Sequence, residues 1–330
     1  GQLREWRRED RITQRTDCCY DPAATCPRWL EVLNTVFGGD QELIDYVQRI
    51  FGYSLSGDPG ESILPIAYGH GCNGKSTVWN TIIELIGTYG LVASDRLLTQ
   101  KGAGDHATSI ASLYQKRIVA ISEPEQGCRL NESRTKELTG ELLITARRMR
   151  EDEWSFYRTH TFRMISNHLP IIRGNDEGIW RRVKLIPFTI DLRKVCEPVP
   201  GLSDWLIANE APGILNWLIQ GSVAYWKDQR LDAPQVVLDA TAKYRGAEDK
   251  LGQFISDTYV LDGKGMVSCA QFGHDFKEWN DGIFPPRQLN QEMENRGFDR
   301  VKCQERGHEL KDRWVYIGLR RDAENDTFFD

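Results

Sequence analysis

Apolar positions along the chain recur with two periods, and the change of period divides it into blocks. From Pro27 to Tyr53 the spacing is helical. Trp29, Leu30, Leu33, Val36 and Phe37 share one face of a first helix, and Leu43, Val47, Ile50 and Phe51 form a stripe on a second, which Asp40 is placed to cap. The run SLSGDPGE (54–61) is a turn. Four short apolar runs follow: ILPIAY (63–68), RIVAIS (117–122), TFRMIS (161–166) and VKLIPF (183–188). Strand-length runs alternating with helical stretches predict an α/β core with a mostly parallel sheet. Residues 191–201, DLRKVCEPVPG, read as a linker. Residues 202–227 and 238–260 read as helical, with Trp205, Trp217 and Trp226 expected in the core. From Met266 onward the pattern gives a short strand, two helices and a hairpin turning at Glu305–His308, the order of a winged helix.

Composition narrows the class. A chain of 330 residues suggests about two domains. With 40% hydrophobic and 27% charged residues it has enough apolar material for real cores. No apolar run approaches the roughly 18 residues of a membrane span, so no membrane partner is expected. The polar start GQLREWRREDR is no signal peptide, and the missing initiator Met fits part of a longer protein. A net charge of −6 argues against a uniformly basic nucleic-acid coat but leaves room for a local patch. None of the eight cysteines forms a C-x-x-C pair. Cys18, Cys19 and Cys26 with His70 are the one grouping with the donor types for a metal, and ordinary thiols in a reducing cytoplasm are the expectation.

The chemistry is concentrated where the first strand ends. Gly69, His70, Gly71, Cys72, Asn73, Gly74, Lys75 and Ser76 match G-x-x-x-x-G-K-[ST] in full, between a strand and a helix that continues with Thr77. Backbone N–H groups of such a loop wrap a β-phosphate, and the helix N-terminus favours the anion. Lys75 is placed to reach the β and γ oxygens of ATP, and the Ser76 hydroxyl to coordinate Mg²⁺. The run RIVAISEPE ends in acid, as a strand does that activates water or holds the metal. Ser122 stands where a first acid is usual, so Glu123 is the candidate, with Glu125 able to assist. Asn167 ends the next strand, where an amide can contact the γ-phosphate or the attacking water. Arg181 and Arg182 precede the last strand, where an arginine can stabilise the transferring phosphoryl group.

The ordered set GHGCNGKST, ISEPEQG, KELTGE, ISNHLP and GIWRRVKLIPF, spanning roughly Trp29 to Ile190, resembles the superfamily 3 helicases. The likeness is to the helicase part of phage and plasmid primase–helicases, and more distantly to the poxvirus primase–helicase. The resemblance implies an AAA+-like P-loop ATPase core with an N-terminal helical domain and a C-terminal helical and winged-helix region. The expected layout is a tail at 1–26, a small helical oligomerisation domain at 27–60, the ATPase core at 61–191, a helical extension at 192–249 and a winged-helix-like domain at 250–330. It implies ATP and Mg²⁺ as cofactors, a homo-oligomeric and usually hexameric ring, and 3′-to-5′ translocation on single-stranded or forked DNA. It also implies a primase or polymerase as partner, and replication of a phage or mobile element in a bacterial cytoplasm. In the family pattern Lys75 and Ser76 are Walker A, Glu123 is Walker B, Asn167 is sensor 1 and Arg182 is the finger reaching a neighbour's ATP.

The family's DNA-binding hairpin lies between KELTGE and sensor 1, here residues 143–162. It carries Arg147, Arg148 and Arg150, with Lys136 upstream. From Arg134 to Lys184 there are eleven basic and seven acidic residues, so this window is +4 in a chain of −6. A ring multiplies such a patch into a strong field for phosphates. Two other readings remain open at this level: an ATP-driven DNA-binding or origin-assembly module that does not unwind, and a P-loop kinase or packaging ATPase. The C-terminal hairpin, with Lys302, Arg306, Lys311 and Arg313 near its turn, suits DNA contact or protein contact equally.

Overall fold

The computed structural model describes residues 3–100, 107–173, 176–280 and 286–322. Contacts divide the chain into two units, Gly1–Tyr244 and Arg245–Asp330.

The first unit opens with helices α1 (Pro27–Val36) and α2 (Gln41–Ser56). The core then runs β1 (Leu64–Tyr68), α3 (Lys75–Leu85), β2 (Gly90–Ala93), α4 (Ala107–Ala111), β3 (Ile118–Ile121) and α5 (Glu132–Gly140). A hairpin of β4 (Leu143–Arg147) and β5 (Glu153–Tyr157) precedes β6 (Thr161–Ser166), α6 (Glu177–Trp180), β7 (Val183–Pro187), α7 (Leu202–Asp228) and α8 (Gln235–Glu248), whose last four residues lie past the boundary at Tyr244. Five strands form one parallel sheet in the order β2-β3-β6-β1-β7. Alternate residues feed two cores, as a sheet covered on both faces requires. Leu64 and Ile66 of β1 join Phe162, Met164 and Leu185 on one face, and Ala67 joins Ile118, Ile186 and the helices on the other.

The helical face is locked at named points. The Glu210 carboxylate of α7 is only 7% exposed and caps α1, accepting the backbone N–H groups of Arg28 and Trp29 at 2.9 Å each. A carboxylate on the first free N–H groups of a helix meets the positive end of its dipole. Beside it burial, with Glu210, pushes the Cys26 thiol up to about 11. Trp29 and Trp217 meet edge to face at 5.5 Å. Helices α2 and α7 cross closely because Gly52 and Gly221 sit at the crossing. A Cβ at Gly52 would lie 2.1 Å from the Ser222 nitrogen.

Two expectations about the helices need correction. Trp205 and Trp226 are 47% and 43% exposed, whereas Trp217 is buried. Helical geometry explains this: nine residues are about two and a half turns, so Trp226 points away from the face that holds Trp217. Leu30, expected on the buried face of α1, is 47% exposed.

The second unit contains α9 (Lys250–Thr258), β8 (Tyr259–Ser268), α10 (Cys269–Trp279), α11 (Pro286–Asn295), β9 (Arg300–Lys302) and β10 (Trp314–Arg321). The expected continuous helix over 238–260 is broken at Asp249, whose side chain accepts the Gly252 N–H at 2.9 Å and restarts the chain as α9. Its last two residues belong to β8, so the strand expected from Met266 begins at Tyr259. The strands form an antiparallel sheet in the order β8-β10-β9 over Phe254, Phe272, Phe276, Tyr316 and Leu319.

Candidate nucleotide and DNA site

Strands β1, β6 and β7 end together, and the loop between β1 and α3 is tied to all three ends. Gly69 donates its N–H to the Ser166 carbonyl (3.4 Å), Phe188 donates to the Tyr68 carbonyl (2.7 Å), and Asn73 Nδ2 donates to the Phe188 carbonyl (3.0 Å). Cys72 and Gly74 sit at positive φ, 62° and 83°. Gly74 also has no room for a side chain, since a Cβ there would lie 2.5 Å from Val36. The loop therefore closes tightly and delivers Lys75 at the start of α3.

Lys75 is 4% exposed. Its Nζ donates to Asn73 Oδ1 and Asn167 Oδ1, both at 2.9 Å, and to the Gly69 carbonyl. Burial pushes the ammonium below the usual lysine range, and the charge of Glu123 opposes that shift. Asn167 continues the chain of contacts. Its backbone N–H reaches Glu123 Oε1 at 2.7 Å and its Nδ2 reaches Oε2 at 3.2 Å. Lys75, Asn167 and Glu123, taken from three separate motifs, are thus one hydrogen-bonded line across the ends of β1, β6 and β3. Ser76 and Glu123 are both exposed beside it. Ser122 points elsewhere, its hydroxyl donating to the Ala93 carbonyl at 3.1 Å. Among the described residues no cluster of three His, Cys, Asp or Glu is placed to hold a metal, Cys18, Cys19 and Cys26 with His70 included.

On the β7 side of the loop lies a cavity of about 520 Å³, walled by Val32 and Val36 of α1, Cys72 and Gly74 of the loop, and Leu192 and Leu202. Leu192 N–H donates to the Cys72 carbonyl at 2.9 Å and fixes that wall. Sequence reasoning missed it, because residues 191–201 carry only the signals of a linker.

Arg182 is not brought to this site as a reaching arginine. It is 7% exposed, its Nε donates to Thr139 Oγ1 at 3.1 Å and its Nη1 to the Gly178 carbonyl. A Cβ on Gly140 would lie 2.6 Å from its Nη2, so α5 is built around the guanidinium. Burial is why the expectation of a finger at Arg182 does not fit: the side chain is 7% exposed, and its Nε and Nη1 are engaged by α5 and α6 of its own chain. Arg181, next to it, is exposed. Lys136, expected at DNA, forms an ion pair with Asp176, and that contact holds the Asp176 carboxyl below the usual range.

The β4–β5 hairpin is anchored by one face. Trp154 and Phe156 meet Tyr114 at 4.8 and 5.5 Å, while Thr145 and Ser155 pair on the open face at 2.9 Å. At the tip Arg147 Nε donates to the Glu151 carbonyl (3.1 Å), and the Arg148 guanidinium lies 5.4 Å from the Trp154 ring centre and 3.8 Å from Glu151. Arg150 and Met149 are exposed at the apex, Arg150 with φ 63°.

Residues 67–182, from the end of β1 through Arg182, match DUF5906, described as a family of unknown function. A protein of Acanthamoeba polyphaga mimivirus named as a helicase is 27% identical over 73% of this chain. A protein of African swine fever virus named as a primase is 26% identical over 87% of it, and a Frog virus 3 protein named as a helicase is 24% identical over 70%. By name, its relatives are helicases and primases of large DNA viruses. The chain spans a quarter to a third of the length of these relatives, 27%, 33% and 25% respectively. Among solved structures, the apo C-terminal region of NrS-1 superposes with a TM-score of 0.56 at 13% identity, over 91% of this chain and 78% of that one. A second apo structure of that region, residues 305–718, gives 0.54 at 12%. At that identity the likeness speaks for the fold. These viral relatives infect eukaryotes, which departs from the bacterial setting expected above. No helix among the described residues is long and apolar enough to cross a membrane.

Proposed function

We propose that this chain is the ATP-hydrolysing part of a DNA helicase: an AAA+-type ATPase that assembles as a ring, uses Mg²⁺, and moves 3′-to-5′ on single-stranded DNA in viral or mobile-element replication, in company with a primase. The observation that carries the reading is the line Lys75–Asn167–Glu123, in which a polar amide bonds a phosphate-binding cation on one side and a carboxylate on the other, beside a phosphate loop.

The roles follow from positions. Lys75 is held by Asn73, Asn167 and a loop carbonyl, contacts that β and γ oxygens of a nucleotide would replace; an anion there also offsets the burial of the ammonium. Glu123 accepts the proton of the attacking water, and Asn167 holds the carboxylate in place and faces the γ-phosphate side. The exposed Ser76 hydroxyl and Glu123 fit Mg²⁺, which typically takes one or two protein oxygens and completes its shell with phosphate and water. The metal supplies charge neutralisation on the phosphates when bound. With Glu123 and Asn167 on the β3 and β6 side of β1, the nucleoside belongs on the β7 side, where the 520 Å³ cavity lies. The arginine that acts across a ring interface is Arg181, by its exposure. The hairpin apex contacts DNA phosphates.

A forked-duplex assay tests the reading. Strand separation that requires ATP and Mg²⁺ and prefers a 3′ single-stranded tail is expected. ATP hydrolysis with no strand separation on either tail points instead to a non-unwinding assembly module.

A further inference from the structure

The hairpin of the second unit carries a constellation that ATP hydrolysis does not use. Register pairs Trp314 with Lys302 and Tyr316 with Arg300, so all four side chains lie on one face of the β9–β10 ribbon. Tyr316 is fully buried, but Trp314 is 48% exposed. The Arg300 guanidinium sits 4.5 Å from the centre of the Trp314 ring. The connecting loop, residues 303–313, is shaped by its own hydrogen bonds. Cys303 N–H reaches the Arg313 carbonyl at 2.9 Å, Asp312 N–H reaches the Cys303 carbonyl at 2.8 Å, and Gly307 turns at φ 87°. Arg306, Lys311 and Arg313 project from it, exposed and without an ion pair among the described residues. From Arg300 to Arg321 there are seven basic and three acidic residues, +4 in a chain of −6. The preceding helix α11, by contrast, holds one basic and two acidic residues, a poor surface for a groove lined with phosphates.

We propose that this ribbon is a second nucleic-acid site, one that takes a single strand. Arg306, Lys311 and Arg313 contact successive phosphates, and an unpaired base stacks on the open part of the Trp314–Arg300 pair. An aromatic side chain with cations around it binds strands with little regard to sequence, because every base has a face to stack and every nucleotide a phosphate. The acidic α11 argues against a helix that reads a duplex groove, and Glu305 and Glu309 set the limit of the patch within the loop.

The test is equilibrium binding of the full chain to a fluorescent oligothymidine without nucleotide, so failure of the ATPase reading leaves it intact. Thermal melting verifies that each variant is folded. Trp314→Ala lowers affinity about fivefold or more, Trp314→Phe recovers most of it, and neither changes the salt dependence. Arg306→Gln with Arg313→Gln lowers the slope of log affinity against log salt by about 1.4, the loss of two single-strand phosphate contacts. Unchanged affinity and slope in all variants overturn the proposal. Variants that lose blunt duplex while keeping single strand overturn it as well, since the ligand is then a duplex and stacking plays no part.

Discussion

Asn167 donates two hydrogen bonds to Glu123, from its backbone nitrogen to Oε1 at 2.7 Å and from Nδ2 to Oε2 at 3.2 Å. The carboxylate is therefore held from the neighbouring strand, and the same amide accepts from Lys75. Asn167→Ala keeps the backbone bond and loses the other two contacts. It lowers ATP turnover about 10- to 100-fold while leaving nucleotide affinity within a few-fold, a split that binding and phosphate-release measurements resolve. Glu123→Gln keeps binding and loses hydrolysis. If Glu125→Gln is the dead variant and Glu123→Gln turns over normally, the assignment of the carboxylate is wrong.

The two adjacent arginines separate by readout. Arg182→Ala removes the bond to Thr139, whose hydroxyl keeps its bond to the Thr135 carbonyl, and takes from the Gly178 carbonyl its guanidinium donor; it lowers stability by about 1–3 kcal/mol, read as a drop in melting temperature. Arg181→Ala melts normally and loses about 10³-fold or more in turnover of the assembled protein. Mixing Arg181→Ala with Lys75→Ala restores activity if the arginine works across an interface. No recovery despite co-assembly places it within one subunit or outside the reaction.

His160 sets an acid limit on the fold. It is buried beside Phe162, and burial together with the Arg158 charge pushes its imidazole down to about 3. The folded chain holds it neutral while the unfolded chain takes up a proton near the ordinary histidine value. Its contribution is complete above about pH 6.5 and is lost as pH falls toward 3, at up to about 1.4 kcal/mol per pH unit. His160→Leu removes that one-proton slope from denaturation free energies measured across this window. An unchanged slope shows that the proton is taken up elsewhere.

At the β4–β5 apex, Arg150→Gly suits the positive φ and keeps the turn. It lowers the single-strand salt slope by about 0.7, one phosphate contact, with melting temperature unchanged. Arg148→Ala also loosens the tip, because Arg148 packs on Trp154 and pairs with Glu151. An unaltered slope for Arg150→Gly moves the phosphate contact away from the apex.

The strands and the phosphate loop were legible because both are local. A buried parallel strand is a continuous apolar run, and the loop is a fixed spacing of glycines. That the Lys75, Asn167 and Glu123 motifs meet was legible from the order of motifs, although nothing local brings residues 75, 123 and 167 together. What the pattern hid was direction. Trp205, Trp217 and Trp226 look alike along the sequence, and only their angle on α7 separates a buried ring from two exposed ones. Arg181 and Arg182 look alike too, until α5 and α6 close around one of them. The cavity wall between Leu192 and Leu202 is a short 3₁₀ turn (Leu192–Lys194) followed by irregular chain, held by the Leu192 N–H on the Cys72 carbonyl, a contact that no periodicity encodes.

Steady-state phosphate release from ATP, with and without single-stranded DNA and beside equilibrium nucleotide binding, tests the site most directly. Wild-type chain should bind and hydrolyse ATP faster when DNA is present. Lys75→Ala should do neither, and Glu123→Gln should bind without hydrolysing. A wild-type rate no greater than that of Lys75→Ala, under conditions where the chain is folded and assembled, contradicts an ATPase at the Lys75–Asn167–Glu123 line.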